Sequence, residues 1–267
     1  MLPHTKSTTN FLVLAAVCLS SMLARNACVV EAFVPATRRS ATATVTTLAS
    51  ATLDDAEIAE KMEAAKTLLC RAAETKQEDA DAVVDALLDL EKLSRKANQA
   101  DPSLADQTLE ALSEGGVNWR LIFTTGTVDT QRKLGGTKIN YFPLKATQSF
   151  DSSKSNDPAE WVIQNGIAVG DFELVKFEGD FDWTLAKSGL TKLTFDFNRI
   201  MLFNGFFDIP LKKGEAASLG AKSGLGSANN VELEKRGKRA FFNWISADDS
   251  IATARGGGGG LALWKRI

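Results

Sequence analysis

Aromatic side chains are segregated along this chain, and that constrains its fold more than any other feature. Between Phe33 and Trp119 there is no aromatic residue; from Trp119 onward come all five tryptophans. The switch falls at 117–125, where Val117, Trp119, Leu121 and Phe123 alternate with Asn118, Arg120, Ile122 and Thr124. Period-two alternation of apolar and polar residues reads as a strand with one buried face. Helix is expected before this stretch and β-structure after it, with the strand opening a barrel or a strongly curved sheet.

Candidate strands follow at 138–150, 161–168, 172–185, 191–202, 206–211, 239–246 and 261–266. Two alternate sharply. Phe177, Gly179, Phe181, Trp183 and Leu185 oppose Glu178, Asp180, Asp182 and Thr184, while Leu193, Phe195 and Phe197 oppose Lys192, Thr194, Asp196 and Asn198. Lys187-Ser188-Gly189 between them is a hairpin signal. About eight antiparallel strands with one apolar face either stack as a sandwich or close as a barrel. The inward set would be Trp119, Phe123, Phe172, Phe177, Phe181, Trp183, Phe195 and Phe197, extended by Phe242 and Trp244. These rings either fill a core or line a pocket, since a small eight-stranded barrel can hold one apolar ligand. Arg120 and Lys138 fall at a rim or in solvent.

The segment 214–230, rich in Gly, Ala and Ser, reads as a flexible loop. Its glycines do not cradle phosphate, because no strand leads into them and no Gly-Lys-Ser/Thr opens a helix. The glycine run 256–260 reads as a tight connection.

Upstream, 52–112 reads as a helical arm. Thr52 with Asp55, Thr75 with Glu78 and Ser103 with Asp106 have capping-box spacing. Ile58, Met62, Ala65 and Leu69 share one helical face; Val83, Val84, Leu87, Leu88 and Leu90 make a broader one. These faces either pack on the β-region or dock a partner. Their polar sides are acidic or mixed, unlike helices that lie on membranes.

Composition removes several chemistries. The only histidine is His4, and Cys70 is the only cysteine after residue 28. Beyond the first 50 residues, imidazole catalysis, a disulfide within the chain and multi-cysteine metal sites are therefore excluded. Residues 1–50 hold four basic residues and one acidic; taking these from 31 and 33 leaves 27 and 32. That acidic balance argues against nucleic acid as a partner. Asp180 and Asp182 share a solvated strand face, so no catalytic constellation, metal site or cofactor is expected.

The first residues read as targeting signals. Lys6 precedes an apolar run from Phe11 to Leu19, too short for a membrane span, as in a secretory signal. Residues 33–51 carry Arg38 and Arg39, many Ser, Thr and Ala, and no acidic residue, as in an organellar transit segment. The junction Ala32-Phe33-Val34-Pro35 resembles the Phe-containing cleavage motif of algae with complex plastids. It implies passage through the endoplasmic reticulum and import into the plastid.

From about Leu68 onward the chain resembles the plastid lipid-associated protein family, the fibrillins. The resemblance rests on the helical lead-in, on Gly116-Val117-Asn118-Trp119 and the strand ending Phe123-Thr124-Thr125, and on Gly170-Asp171-Phe172-Glu173. It also rests on Asp248-Asp249, a short strand 250–254, Arg255-Gly256 and an apolar end at 261–264. The chain departs from the family in having Ile251-Ala252-Thr253-Ala254 before the arginine and a glycine run after it. The resemblance implies a mainly β, lipocalin-like antiparallel barrel preceded by the helical arm. Its division would be signal 1–32, transit segment 33–51, arm 52–112 and barrel 115–267. It further implies a non-enzymatic protein of thylakoids or lipid bodies that binds apolar molecules such as quinones, carotenoids or acyl lipids. In the alternative, a filled barrel docks a plastid enzyme or coats lipid droplets. Carried over by position, Asp249 and Arg255 would form a buried or rim ion pair.

Overall fold

The structure, a computed structural model, describes residues 55–126, 141–152, 160–223 and 227–267. The expected targeting segments, Thr52 and Lys138 lie outside them. Three helices come first: α1 (Asp55–Thr75), α2 (Ala80–Ala100) and α3 (Ser103–Ser113). Nine strands follow: β1 (Trp119–Thr124), β2 (Lys145–Asp151), β3 (Val162–Val169), β4 (Phe172–Leu185), β5 (Thr191–Leu202), β6 (Phe207–Pro210), β7 (Ala240–Ala247), β8 (Ile251–Gly256) and β9 (Leu261–Arg266). Between β6 and β7 lie α4 (Glu215–Ser223) and α5 (Ala228–Lys235), where the sequence had suggested a flexible loop. Ser227 caps α5 by accepting the Asn229 amide, a helix start that the glycine content obscures.

Helix starts differ from those expected. Asp79 rather than Thr75 caps α2, accepting from the amides of Asp81 and Ala82. Thr75 turns back instead and donates to the Arg71 carbonyl. At α3 it is Asp101 that accepts from the backbone amide and the hydroxyl of Ser103. In each case the acidic side chain lies closer to the free amides of the first turn.

The strands close a ring. Every pairing is antiparallel in the order β1-β2-β3-β4-β5-β7-β8-β9, and β9 pairs back to β1. This settles barrel over sandwich. β6 stays outside the ring, paired to Arg199–Leu202 of β5, so β5 meets β7 only over Leu193–Phe195.

The arm packs on the barrel. α1 and α2 form a hairpin, and Leu69, Val83, Leu87 and Leu90 are buried with Ile122, Ile245, Ile251 and Leu263 of the outer wall. Burying each such side chain is worth roughly 1.5–3 kcal/mol. Leu88, expected on this face, is exposed, and Leu93 is buried. The β4–β5 turn docks on α2 through Gly189, whose carbonyl accepts from Asn98 at 3.2 Å. A Cβ on Gly189 would come within 2.0 Å of the Arg95 carbonyl oxygen, and its φ of +71° already requires glycine.

One irregularity changes a side chain's environment. A register shift in β1 lies between Leu121, opposite Trp264, and Phe123, opposite Leu263. Phe123 is thereby turned out of the barrel into the helix-covered layer, where its ring meets Tyr141 edge-on at 5.4 Å. Simple alternation had placed it inside. A bulge inserts one residue and reverses the parity of everything beyond it.

Candidate ligand-binding site

The barrel has two unlike ends. α3 lies across one, touching both β2 and β7 and placing Leu109 and Leu112 in the interior cluster. The Trp119 indole N–H donates to the Leu112 carbonyl at 3.0 Å, tying this lid to the wall. Rings from opposite walls meet at this level. Phe150 of β2 lies 5.4 Å from Trp244 of β7 and 5.8 Å from Phe181 of β4, and Trp244 lies 5.1 Å from Trp264. The space for these rings comes from Ala252, Ala254 and Ala262, which face inward from β8 and β9. This end is packed solid.

At the opposite end the described residues fill the interior less completely. Leu121, Ile167, Phe177, Phe197, Ala240 and Phe242 have inward parity, yet each is only half-buried. On the same face Val175, Ile200 and Leu202 are buried, packed with Ile167 and Phe177. A ladder of rings runs along this face. Phe177 lies 5.5 Å from Phe197, Phe197 lies 5.2 Å from Phe195, and Phe195 stacks on Phe242 at 5.2 Å. Phe242 then meets Trp264 at 6.2 Å.

Polar atoms interrupt this apolar lining. Gln148 and Asn165 face each other across β2 and β3, on the parity of Phe150 and Ile163. Their side-chain carbonyl oxygens are buried with no hydrogen-bond partner, as are the indole N–H groups of Trp183 and Trp244. Each orphaned buried group costs about 1–3 kcal/mol, a cost that a partner removes. Sequence reasoning passed over Gln148 and Asn165. The available signal was their parity with inward apolar neighbours.

The expected lining residues divide among several places. Phe177, Phe195 and Phe197 belong to the ladder of rings at the end opposite α3. Trp119 and Phe181 are fully buried at the packed end, and Trp183 is half-buried there. Phe123 lies outside the ring. Phe172 is not inside either: it is exposed at the start of β4 and stacks on Phe203. Arg120 is half-buried on the outer face.

Asp249 and Arg255 do not pair. Asp249 is exposed and accepts from Arg266 at 3.0 Å, while Arg255 points from β8 to Glu91 of α2. Arg255 Nη2 lies 2.6 Å and Nε 2.9 Å from the Glu91 carboxylate, and Nη1 donates to the Gly259 carbonyl at 2.8 Å. Arg95 adds a third contact to Glu91 at 3.0 Å. Burial pushes the Glu91 carboxyl up, but Arg255 and then Arg95 outweigh it, leaving it below the ordinary value. Hydrogen bonding to Glu91 in turn raises Arg255. The pair clamps arm to barrel rather than lining the interior.

Asp180 and Asp182 converge on Arg239, each at 2.5 Å, as a surface ion-pair cluster. Burial, and then the nearby Glu234, raises the Asp196 carboxyl, but Asp196 faces outward and accepts from the Gly214 and Phe197 amides. No group of three His, Cys, Asp or Glu side chains among the described residues is placed to hold a metal. No described helix is long and apolar enough to cross a membrane. Compared with known proteins, the chain matches no protein-family model, no curated sequence and no solved structure.

Proposed function

We propose that this is a non-enzymatic plastid protein that holds an apolar molecule in the end of its barrel opposite α3. The observation that carries the reading is the ladder of inward rings, in which Phe177, Phe197 and Phe242 are half-buried, together with two orphaned amide oxygens, those of Gln148 and Asn165. The ligand class is a quinone, carotenoid or acyl lipid, with a polar head group directed at the amides. Each amide can also present its NH2 group once rotated, so hydroxyl and carbonyl heads both fit. A tail burying about 400 Å² gains roughly 10 kcal/mol, against about 4–15 kcal/mol lost on association. The leader-like first residues and the fibrillin resemblance support the plastid assignment.

The test is native mass spectrometry, with solvent extraction, of the protein after incubation with a plastid lipid extract. A single stoichiometric species, lost in folded Phe177→Asp or Phe197→Asp variants, is the expected result. A folded wild-type protein that takes up nothing from the extract would sink the carrier reading. The second reading, a filled barrel that docks a plastid enzyme or coats lipid bodies, is favoured by the rings that meet across the packed end.

A further inference from the structure

At the end of the barrel opposite α3, two hairpin turns lie side by side. One joins β3 to β4 through Gly170 and Asp171; the other joins β5 to β6 through 203–206. They are tied together. The Glu173 amide donates to the Asn204 side chain at 2.7 Å, the Asn204 amide donates to the Glu173 carbonyl at 2.8 Å, and Phe172 stacks on Phe203 at 6.4 Å.

The turns carry most of the large apolar surface that the described residues expose. Phe206 is 81% exposed, Val169 51%, Phe172 46% and Phe207 39%. The backbone is shaped to display them: Phe203, Asn204 and Gly205 are all left-handed, with φ of +53°, +55° and +80°. Glycine and, less readily, asparagine adopt this region, but a phenylalanine is strained there. Phe206 at the tip meets Phe207 edge-on at 5.0 Å.

Among the described residues, the charged side chains around the tip pair with one another. Arg199 binds Asp208 and also reaches Glu178 at 3.3 Å, Lys176 meets Glu173 at 2.9 Å, and Lys145 lies 3.8 Å from Asp171. An anionic membrane is recognised by unpaired Lys and Arg, and a protein groove by a partner's matched pocket. Protruding rings ringed by self-paired charges suit a fluid apolar layer beneath uncharged or zwitterionic head groups. We infer that the paired turns at 169–172 and 203–207 insert into a neutral lipid surface, bringing this end of the barrel against it.

This inference uses residues outside the ladder of rings and stands or falls separately from the carrier reading. The test is flotation of the full chain with phosphatidylcholine vesicles, alongside vesicles containing phosphatidylserine. Wild-type protein is expected to float with both, and to do so still at about 0.5 M salt, where surface charge is screened within a few ångströms. Removing each ring should cost about tenfold in partition, so Phe206→Ser/Phe207→Ser should lose about 100-fold. Phe206→Glu, at the most exposed of these side chains, gives a second variant that gives up the edge-on contact with Phe207 but touches no buried core residue. Uptake of N-phenylnaphthylamine without vesicles reads the barrel site, and both variants should retain it. Absence of flotation, equal flotation of the variants, or flotation only on anionic vesicles and abolished by salt would each overturn the inference. So would a dimer that these variants dissolve while wild type shows no lipid binding. Flotation without probe uptake would refute the barrel site and leave the tip standing.

Discussion

Arg255→Met tests whether the ion pair between α2 and β8 holds the arm on the barrel. Glu91 is 8% exposed as a residue, whereas the Arg255 side chain is 27% exposed. The substitution keeps the aliphatic stem but leaves a buried carboxylate with Arg95 alone and frees the Gly259 carbonyl. Breaking a fully buried pair costs about 3–5 kcal/mol. Discounted for solvent at the arginine, the expectation is ~2–4 kcal/mol. Glu91→Gln should cost less, ~1–2 kcal/mol, because Arg255 keeps Gly259 and water as partners. The assay is urea unfolding of wild type, both single variants and the double variant. Coupling between the sites should exceed about 1 kcal/mol. The pH dependence has a definite sign. Glu91 lies below its ordinary value of 4.5, so the pair contributes fully above that pH and fades as pH falls through the depressed folded value. The deficit of Arg255→Met relative to wild type should therefore shrink on acidification. Single-variant losses under about 0.5 kcal/mol, as for an exposed surface pair, would refute the clamp.

Three further outcomes are expected. Gly179→Ala should lose more than ~3 kcal/mol in chemical denaturation, because its Cβ would lie 1.8 Å from the Asp196 carbonyl oxygen; a loss below ~1 kcal/mol would show that the β4–β5 ladder yields there. A void of about 10 Å³ between α2 and β7, next to the orphaned Ser94 Oγ and Asn243 Oδ1, should hold one ordered water; a high-resolution crystal structure with that site dry contradicts this. Cys70 should react with a thiol reagent at mildly alkaline pH more slowly than a free thiol, because burial and then Asp248 raise it; labelling at the free-thiol rate would argue against that packing.

How far the fold was legible depended on how local its cause was. β4, β5 and β9 have the expected bounds, because their alternation and turn signals lie within a few residues. α4 and α5 were missed: their Gly and Ser content resembles linker, and what anchors them, such as the buried Ala216 and Ser227 and the Asn229 side chain donating to the Gly257 carbonyl, is not a local pattern. The candidate site was legible in part. Phe177, Phe195 and Phe197 were identified by parity. Phe123 and Phe172 were misplaced, one by a bulge and the other by lying at the exposed start of its strand. Gln148 and Asn165 went unnoticed because a polar residue in an apolar register looks like a lapse in the pattern until both neighbours of the sheet are known.

By itself the sequence determined the helical arm, the β-rich second half, the lack of histidine beyond residue 4 and the inward parity of most rings. These follow from periodicity and composition, which act over one turn of helix or one hairpin. Tertiary structure alone decided which end of the barrel α3 covers and which rings meet there. α3 closes one end through Trp119 and Leu112, and the small residues Ala252, Ala254 and Ala262 make room there for rings from three other strands. It likewise gave Arg255 to Glu91 rather than to Asp249, and set the two aromatic turns side by side. Each is a contact between residues far apart in the chain. Its energy depends on where the ring closes and how much water the closure removes, and no local pattern encodes that.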